Sequence, residues 1–229
     1  MKYKAVIFDL FGTLVDTSSL ATYSKVLGAM ADAVNAPREE FRQGWFDTFN
    51  QRTTGELNSP EQNIEYVCNQ LKIDCSESQI QAAVRVRMGF TAKSMAPRPD
   101  AVAVLGEIKR RGMKTGLISD CAWEVPRLWP GLPFAQYVDV PLFSCSLGIK
   151  KPDPRIYKKS TDLLGVRAQD CMYVGDGSSR ELTGAQKAGM FPVMIRVPYE
   201  RTADAYRIEE EEWHGPVISS LTEVLGFLD

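Results

Sequence analysis

The sequence predicts an α/β protein in which a parallel sheet core carries an inserted α-helical cap domain. Three observations point to it. The chain opens with a short apolar run, Ala5 to Phe8, that stops at an acid, Asp9. From about Ser18 to Ala92 it then shows helical spacing and no strong strand. Beyond Met95, short β-prone runs alternate with amphipathic helical segments, the pattern of a parallel sheet covered by helices on both faces.

Taken in order, Ala5-Val6-Ile7-Phe8 is apolar throughout, and Asp9 with Gly12 behind it reads as a buried strand ending in a polar loop. Four helical segments follow: Leu20–Val34, Glu39–Asn50, Glu61–Leu71 and Ser76–Phe90. Pro37 opens the second, Pro60 lies just before the third, and Asp16 is read as the N-cap of the first. After Met95-Ala96-Pro97-Arg98-Pro99, Asp100 is placed as N-cap of a helix to Arg111, closed by Gly112, with a strand at Lys114–Ile118. A strand at Tyr137–Phe143 and a helix at Pro154–Leu164, capped by Asp153, come next. They are followed by a strand at Cys171–Val174, a helix at Ser179–Ala188 and a strand at Pro192–Val197. The expected division is a Rossmann-like core of residues 1–16 and 94–229 and a helical cap of residues 17–93. Glu209–Glu212 reads as a solvated face or loop.

Bulk properties narrow the function. Hydrophobic residues are 44% and charged residues 24% of 229, an ordinary globular composition. With a net charge of -2 and both signs spread along the chain, there is no footprint for nucleic acid or an anionic membrane. No apolar run approaches the roughly 20 residues that span a bilayer. The opening apolar run is too short for a signal peptide, so a cytoplasmic location is expected. Five cysteines without a C-x-x-C pair read as buried thiols rather than a disulfide framework or zinc site. The only histidine, His214, has no acid–base signature around it and reads as structural, so chemistry must rest on carboxylates, hydroxyls and lysines.

In open parallel sheets, ligands bind at the carboxyl ends of strands. Four polar clusters of this chain are placed there, in order: Asp9-Leu10-Phe11-Gly12-Thr13, Ser119-Asp120, Lys151 in Gly148-Ile149-Lys150-Lys151-Pro152-Asp153-Pro154, and Gly175-Asp176 through Glu181. Together they supply what phosphoryl transfer needs. A carboxylate can attack phosphorus and hold it as an acyl phosphate. A divalent cation offsets the repulsion between carboxylate and phosphate. A hydroxyl, backbone N–H groups and a lysine can hold the phosphate oxygens. A G-x-x-x-x-G-K-[ST] loop is missing, so an ATP-type P-loop is not the phosphate holder.

This ordered set resembles the haloacid dehalogenase-like (HAD) hydrolase superfamily across the whole chain. The resemblance implies Asp9 as nucleophile, Thr13 as a supporting hydroxyl, and Ser119, with Asp120 beside it, as the substrate contact. Lys151, rather than Lys150, matches the family lysine. Mg2+ would be held by Asp9, the Phe11 backbone carbonyl, Asp176 and Glu181, the last directly or through water. The substrate would be a small phosphorylated molecule, cleaved through an aspartyl-phosphate.

One position departs from the family pattern. Phosphatases of the family usually carry a second aspartate two residues after the nucleophile, and here Phe11 stands there. A general acid is worth typically 10²–10⁴-fold in rate. Three readings follow: a phosphatase that does without this acid, a 2-haloacid dehalogenase with an aromatic residue at the position, or a weakly catalytic binding module. Dehalogenases of the family need no metal and carry a Ser-Ser-Asn-type fourth motif, whereas this chain has Gly175-Asp176, which favours the phosphatase. Phosphonate cleavage needs a cap lysine, and residues 26–71 contain none. Arg42, Trp45 and Phe46, the loop Thr53-Thr54-Gly55, and Arg180 are the candidates for substrate contact outside the four motifs.

Overall fold

The computed structural model describes residues 2–200 and 207–228. Strand β1 (Ala5–Phe8) is followed by five helices: α1 (Leu20–Ala33), α2 (Arg38–Asp47), α3 (Phe49–Thr53), α4 (Pro60–Gln70) and α5 (Glu77–Ser94). The chain continues through α6 (Ala101–Arg110), β2 (Lys114–Ser119), α7 (Glu124–Leu128), β3 (Val140–Phe143), α8 (Ser144–Leu147) and α9 (Pro154–Leu164). It ends with β4 (Cys171–Gly175), α10 (Glu181–Lys187), β5 (Phe191–Ile195) and β6 (Val217–Ile218), before a 3-10 segment at Leu221–Phe227. All strand pairs are parallel, in the order β3-β2-β1-β4-β5-β6. The α/β class with a helical insertion is as expected.

Strand alternation builds two cores on the sheet. Val6 and Phe8 face a cluster with Val104, Leu105 and Ile108 of α6 and Leu221 and Val224 of the C-terminal 3-10 segment. Ala5 and Ile7 face Ile156 and Tyr157 of α9 and Leu182 and Ala185 of α10. The helical insertion has its own cluster, in which Leu27, Met30, Phe41, Trp45, Ile64 and Val67 are fully buried. Tyr23 Oη there accepts a hydrogen bond from Trp45 Nε1 at 3.0 Å.

Several local expectations are corrected. The first insertion helix is capped by Ser19, whose hydroxyl accepts from Thr22 N, and not by Asp16, which pairs with Arg98 and Tyr199. Asp100 occupies the N-cap position of α6 without a capping side-chain bond, because its carboxylate accepts from Thr222 N and Oγ1. The expected Tyr137–Phe143 strand is shorter, since Ala135–Tyr137 forms a 3-10 turn. The helix expected from Ser179 starts at Glu181: Ser179 and Arg180 sit at φ 55° and 50°, where no right-handed helix can pass. Asp153 does cap α9, accepting from Arg155 N. Neither β6 nor the helices α3, α7 and α8 is anticipated by sequence pattern; each is five residues or shorter.

Candidate active site

Three strands end side by side and present their polar loops together. Asp9 follows β1, Asp120 follows β2 and Asp176 follows β4. Between them lies a cavity of about 160 Å³, lined on the sheet side by Asp9, Phe11, Asp120, Lys151, Asp176, Ser178 and Ser179. Carboxylate oxygens of Asp9, Asp176 and Glu181 all lie within 4.8 Å of one another, and all three residues are buried. Lys151 Nζ joins the first and last, donating to Asp9 Oδ1 at 2.5 Å and to Glu181 Oε2 at 2.6 Å.

Backbone and side-chain donors hold each acid in place. Glu181 accepts from Gly177 N at 3.0 Å and from Tyr173 Oη at 2.8 Å. Asp176 Oδ1 accepts from Ser178 N and its Oδ2 from Arg207 Nε at 2.9 Å. Asp120 Oδ1 accepts from the Lys151 backbone N–H at 3.0 Å, which ties the second strand end to the lysine loop. Thr13 Oγ1 lies 3.4 Å from Asp9 Oδ2, a long contact. Ser119 is fully buried and does not line the cavity.

The electrostatics follow from burial. Desolvation pushes the Asp9 carboxyl up to about 6, against the pull of Lys151 and with a further push from Asp176. Burial, with the Asp9 charge adding to it, holds Glu181 well above the usual carboxylate range in spite of Lys151. Burial alone would depress the Lys151 ammonium, but Asp9, Glu181 and Asp120 outweigh it and hold it well above its ordinary value.

Two groups that sequence reasoning missed shape the site. Arg98 is 3% exposed and clamps the loop after β1, donating from Nε to Thr13 O at 2.8 Å and from Nη2 to Gly12 O at 2.9 Å. Helices of the insertion form the other wall of the cavity, where Tyr23, Phe49, Arg52, Arg87 and Phe90 join Thr53. Arg87 Nε pairs with Glu124 of α7 at 2.9 Å, and Arg52 stacks over Trp45 with its guanidinium carbon 4.2 Å from the ring centre. The available signal was periodicity: Arg87 falls on the same helix stripe as buried Ile80, Ala83, Val84 and Thr91. Of the candidates outside the four motifs, Thr53 lines the cavity. Arg42, Trp45, Phe46, Thr54, Gly55 and Arg180 do not; Trp45 is core, Arg42 pairs with Glu39, and Arg180 is exposed. His214 is exposed beside Glu212, 3.6 Å away.

A family model described as haloacid dehalogenase-like hydrolase matches residues 3–189. The chain belongs to this family. As a HAD-like hydrolase it is similar to proteins of two chemistries. It is 27% identical over 239 residues to a glyceraldehyde 3-phosphate phosphatase of Pyrococcus furiosus, covering 100% of this chain and 94% of the relative. It is 26% identical over 199 residues to (S)-2-haloacid dehalogenase 4A of Burkholderia cepacia, covering 84% of this chain and 82% of that one. Among solved structures, a HAD phosphatase from Thermococcus onnurineus superposes with a TM-score of 0.65 at 21% identity, over 98% of this chain and 97% of the other. That likeness establishes the fold. Among the described residues, no helix is long and apolar enough to cross a membrane.

The acid cluster fits a hard divalent cation. Its donors are carboxylate oxygens, three from separate positions converge within one ion's reach, and they are shielded from water.

Proposed function

We propose that this hydrolase is a Mg2+-dependent phosphatase acting on a small organic phosphate. The observation that carries the reading is the buried convergence of Asp9, Asp176 and Glu181 beside Lys151, next to a cavity that Asp9, Asp176 and Lys151 line. Asp9 and Asp176, with the Phe11 carbonyl, would hold the ion. Glu181 would stand behind them, since Asp9 and Asp176 line the cavity and Glu181 does not. When bound, the ion offsets the charge of the transferring oxygens.

In this reading Asp9 attacks phosphorus, the bond from phosphorus to the ester oxygen breaks, and the electron pair leaves on that oxygen, which takes up a proton from water when the cap reopens. Water then attacks the aspartyl-phosphate, releasing inorganic phosphate and restoring the Asp9 carboxylate. Lys151 holds Asp9 ionised and oriented, and Asp120 holds Lys151. Thr13 supports the nucleophile loop, while Ser119, buried away from the cavity, takes no substrate contact in this reading. Residues 17–93 act as a cap over residues 1–16 and 94–229, excluding water from the first step and admitting it for the second.

Phe11 lines the cavity where the family's general acid would stand, and this favours a second reading, 2-haloacid dehalogenation, in which halide leaves without a proton. Phosphate esters and 2-chloroacids, each assayed with magnesium and with EDTA, separate the two. Phosphate release that requires magnesium and is lost in Asp9→Asn is expected; halide release insensitive to EDTA overturns the phosphatase reading.

A further inference from the structure

The segment 207–211 is strapped across the loop that carries Asp176 and Glu181. Ser179 N donates to Ile208 O at 2.7 Å, and Glu211 N donates to Gly177 O at 3.0 Å. The Glu211 carboxylate accepts from Leu182 N at 2.7 Å and from Thr183 N at 3.0 Å, capping α10. Arg196, just past β5, donates to Asp176 O and pairs with Glu210. Glu209–Glu212 is therefore more than a solvated run. Glu210 and Glu211 fasten the strap, and the strap delivers Arg207 to the site. Arg207 Nε lies 2.9 Å from Asp176 Oδ2, with the two side chains 7% and 2% exposed.

The three clustered carboxylates thus meet two cations: Lys151 serves Asp9 and Glu181, and Arg207 serves Asp176. A divalent ion and a guanidinium compete for Asp176 Oδ2, because like charges at contact distance in a buried site repel strongly. We propose that Arg207 is a resident counter-cation of the acid cluster, holding Asp176 in the metal-free protein and yielding it when a divalent ion enters. The inference rests on the metal-dependent reading above. Metal binding is then an exchange of one cation for another, and the hold of the strap on Arg207 sets the affinity.

Mg2+ titration by calorimetry, with melting temperatures in EDTA and in MgCl2, tests this on the full chain. Arg207→Gln is expected to bind Mg2+ at least tenfold more tightly than wild type. It should also melt lower in EDTA and gain a larger shift from MgCl2. Arg207→Lys, which keeps the charge, should stay closer to wild type. Glu211→Gln, which loosens the strap and leaves Arg207 in the chain, should move affinity in the same direction by less. If wild type binds Mg2+ and Arg207→Gln binds it equally or more weakly, the exchange is wrong while the metal site stands. If none of the proteins binds Mg2+, the exchange and the metal-dependent reading fail together.

Discussion

Replacing Lys151 by methionine tests the electrostatics of the site, because it removes the charge while nearly conserving side-chain volume. The ammonium lies 2.5 Å from Asp9 and 2.6 Å from Glu181, and all three residues are buried. Removing one partner of a buried ion pair costs about 3–5 kcal/mol. For a chain of this length that is a fall in melting temperature of roughly 10 °C. The cost depends on pH, because a carboxyl that takes a proton no longer needs the ammonium. Burial already pushes Asp9 up to about 6 and Glu181 well above its usual range with the lysine present; without it both rise further. An acid whose pKa is higher folded than unfolded binds more protons in the folded state, so its contribution to stability improves as pH falls. The deficit of Lys151→Met against wild type is therefore expected to be largest near pH 8 and to shrink towards pH 5. Urea unfolding in EDTA at pH 5, 6, 7 and 8 measures it. A deficit that stays constant would make Lys151 a packing residue, and one that grows on acidification would reverse the argument.

Arg98→Ala removes charge-assisted bonds to two carbonyls of the loop after β1, which carries the proposed nucleophile, each worth about 1.5–3 kcal/mol. Unfolding free energy should fall by roughly 3 kcal/mol and turnover at least tenfold, and an unchanged rate would mean that the loop holds itself. Phe11→Asp supplies the missing general acid, for which 10²–10⁴-fold is typical. It should raise turnover of alkyl phosphates and leave aryl phosphates with good leaving groups nearly unchanged; equal gains on both would refute the leaving-group explanation. Gly12 has φ +77°, and a methyl group there would meet Asp176 Oδ2 at 2.4 Å. Gly12→Ala should therefore weaken Mg2+ binding at least tenfold by calorimetry, while unchanged affinity would remove Asp176 from the ion's shell.

The features legible in the sequence were those with strong local periodicity. Apolar runs such as Ala5–Phe8 and Cys171–Gly175, each stopped by an acid or a glycine-acid pair, mark buried strands and the polar loops at their ends. What escaped is set by tertiary contact. Two-residue β6 exists only because Met194 N and Arg196 N find carbonyl partners at Pro216 and Ile218. Asp100 carries the right side chain at the start of α6, but Thr222 claims its carboxylate, and Asp16 lies upstream of Ser19, the cap in use, where it pairs with Arg98. The strap 207–211 has no hydrophobic pattern of its own, and its role appears only when Glu211 meets the start of α10.

Gly12 and Gly175 read in sequence as turn and strand-end residues, yet their deeper role is space. A methyl on Gly175 would meet Glu181 Oε1 at 2.2 Å, as one on Gly12 would meet Asp176. The chain therefore keeps two positions bare so that two acids can close on Asp9, and it desolvates all three. That arrangement is costly in the absence of a ligand, since buried like charges repel and must be offset by Lys151 and Arg207. Displacement of halide from a 2-haloacid yields an anion that needs neither proton nor divalent cation, so it would leave such a cluster without a use. In the proposed reading, transfer of a phosphoryl group from an ester would concentrate negative charge where the acids converge, and a divalent ion there would answer both. On this reasoning Phe11 bears on which leaving groups the site can expel, and the acid cluster on what it attacks.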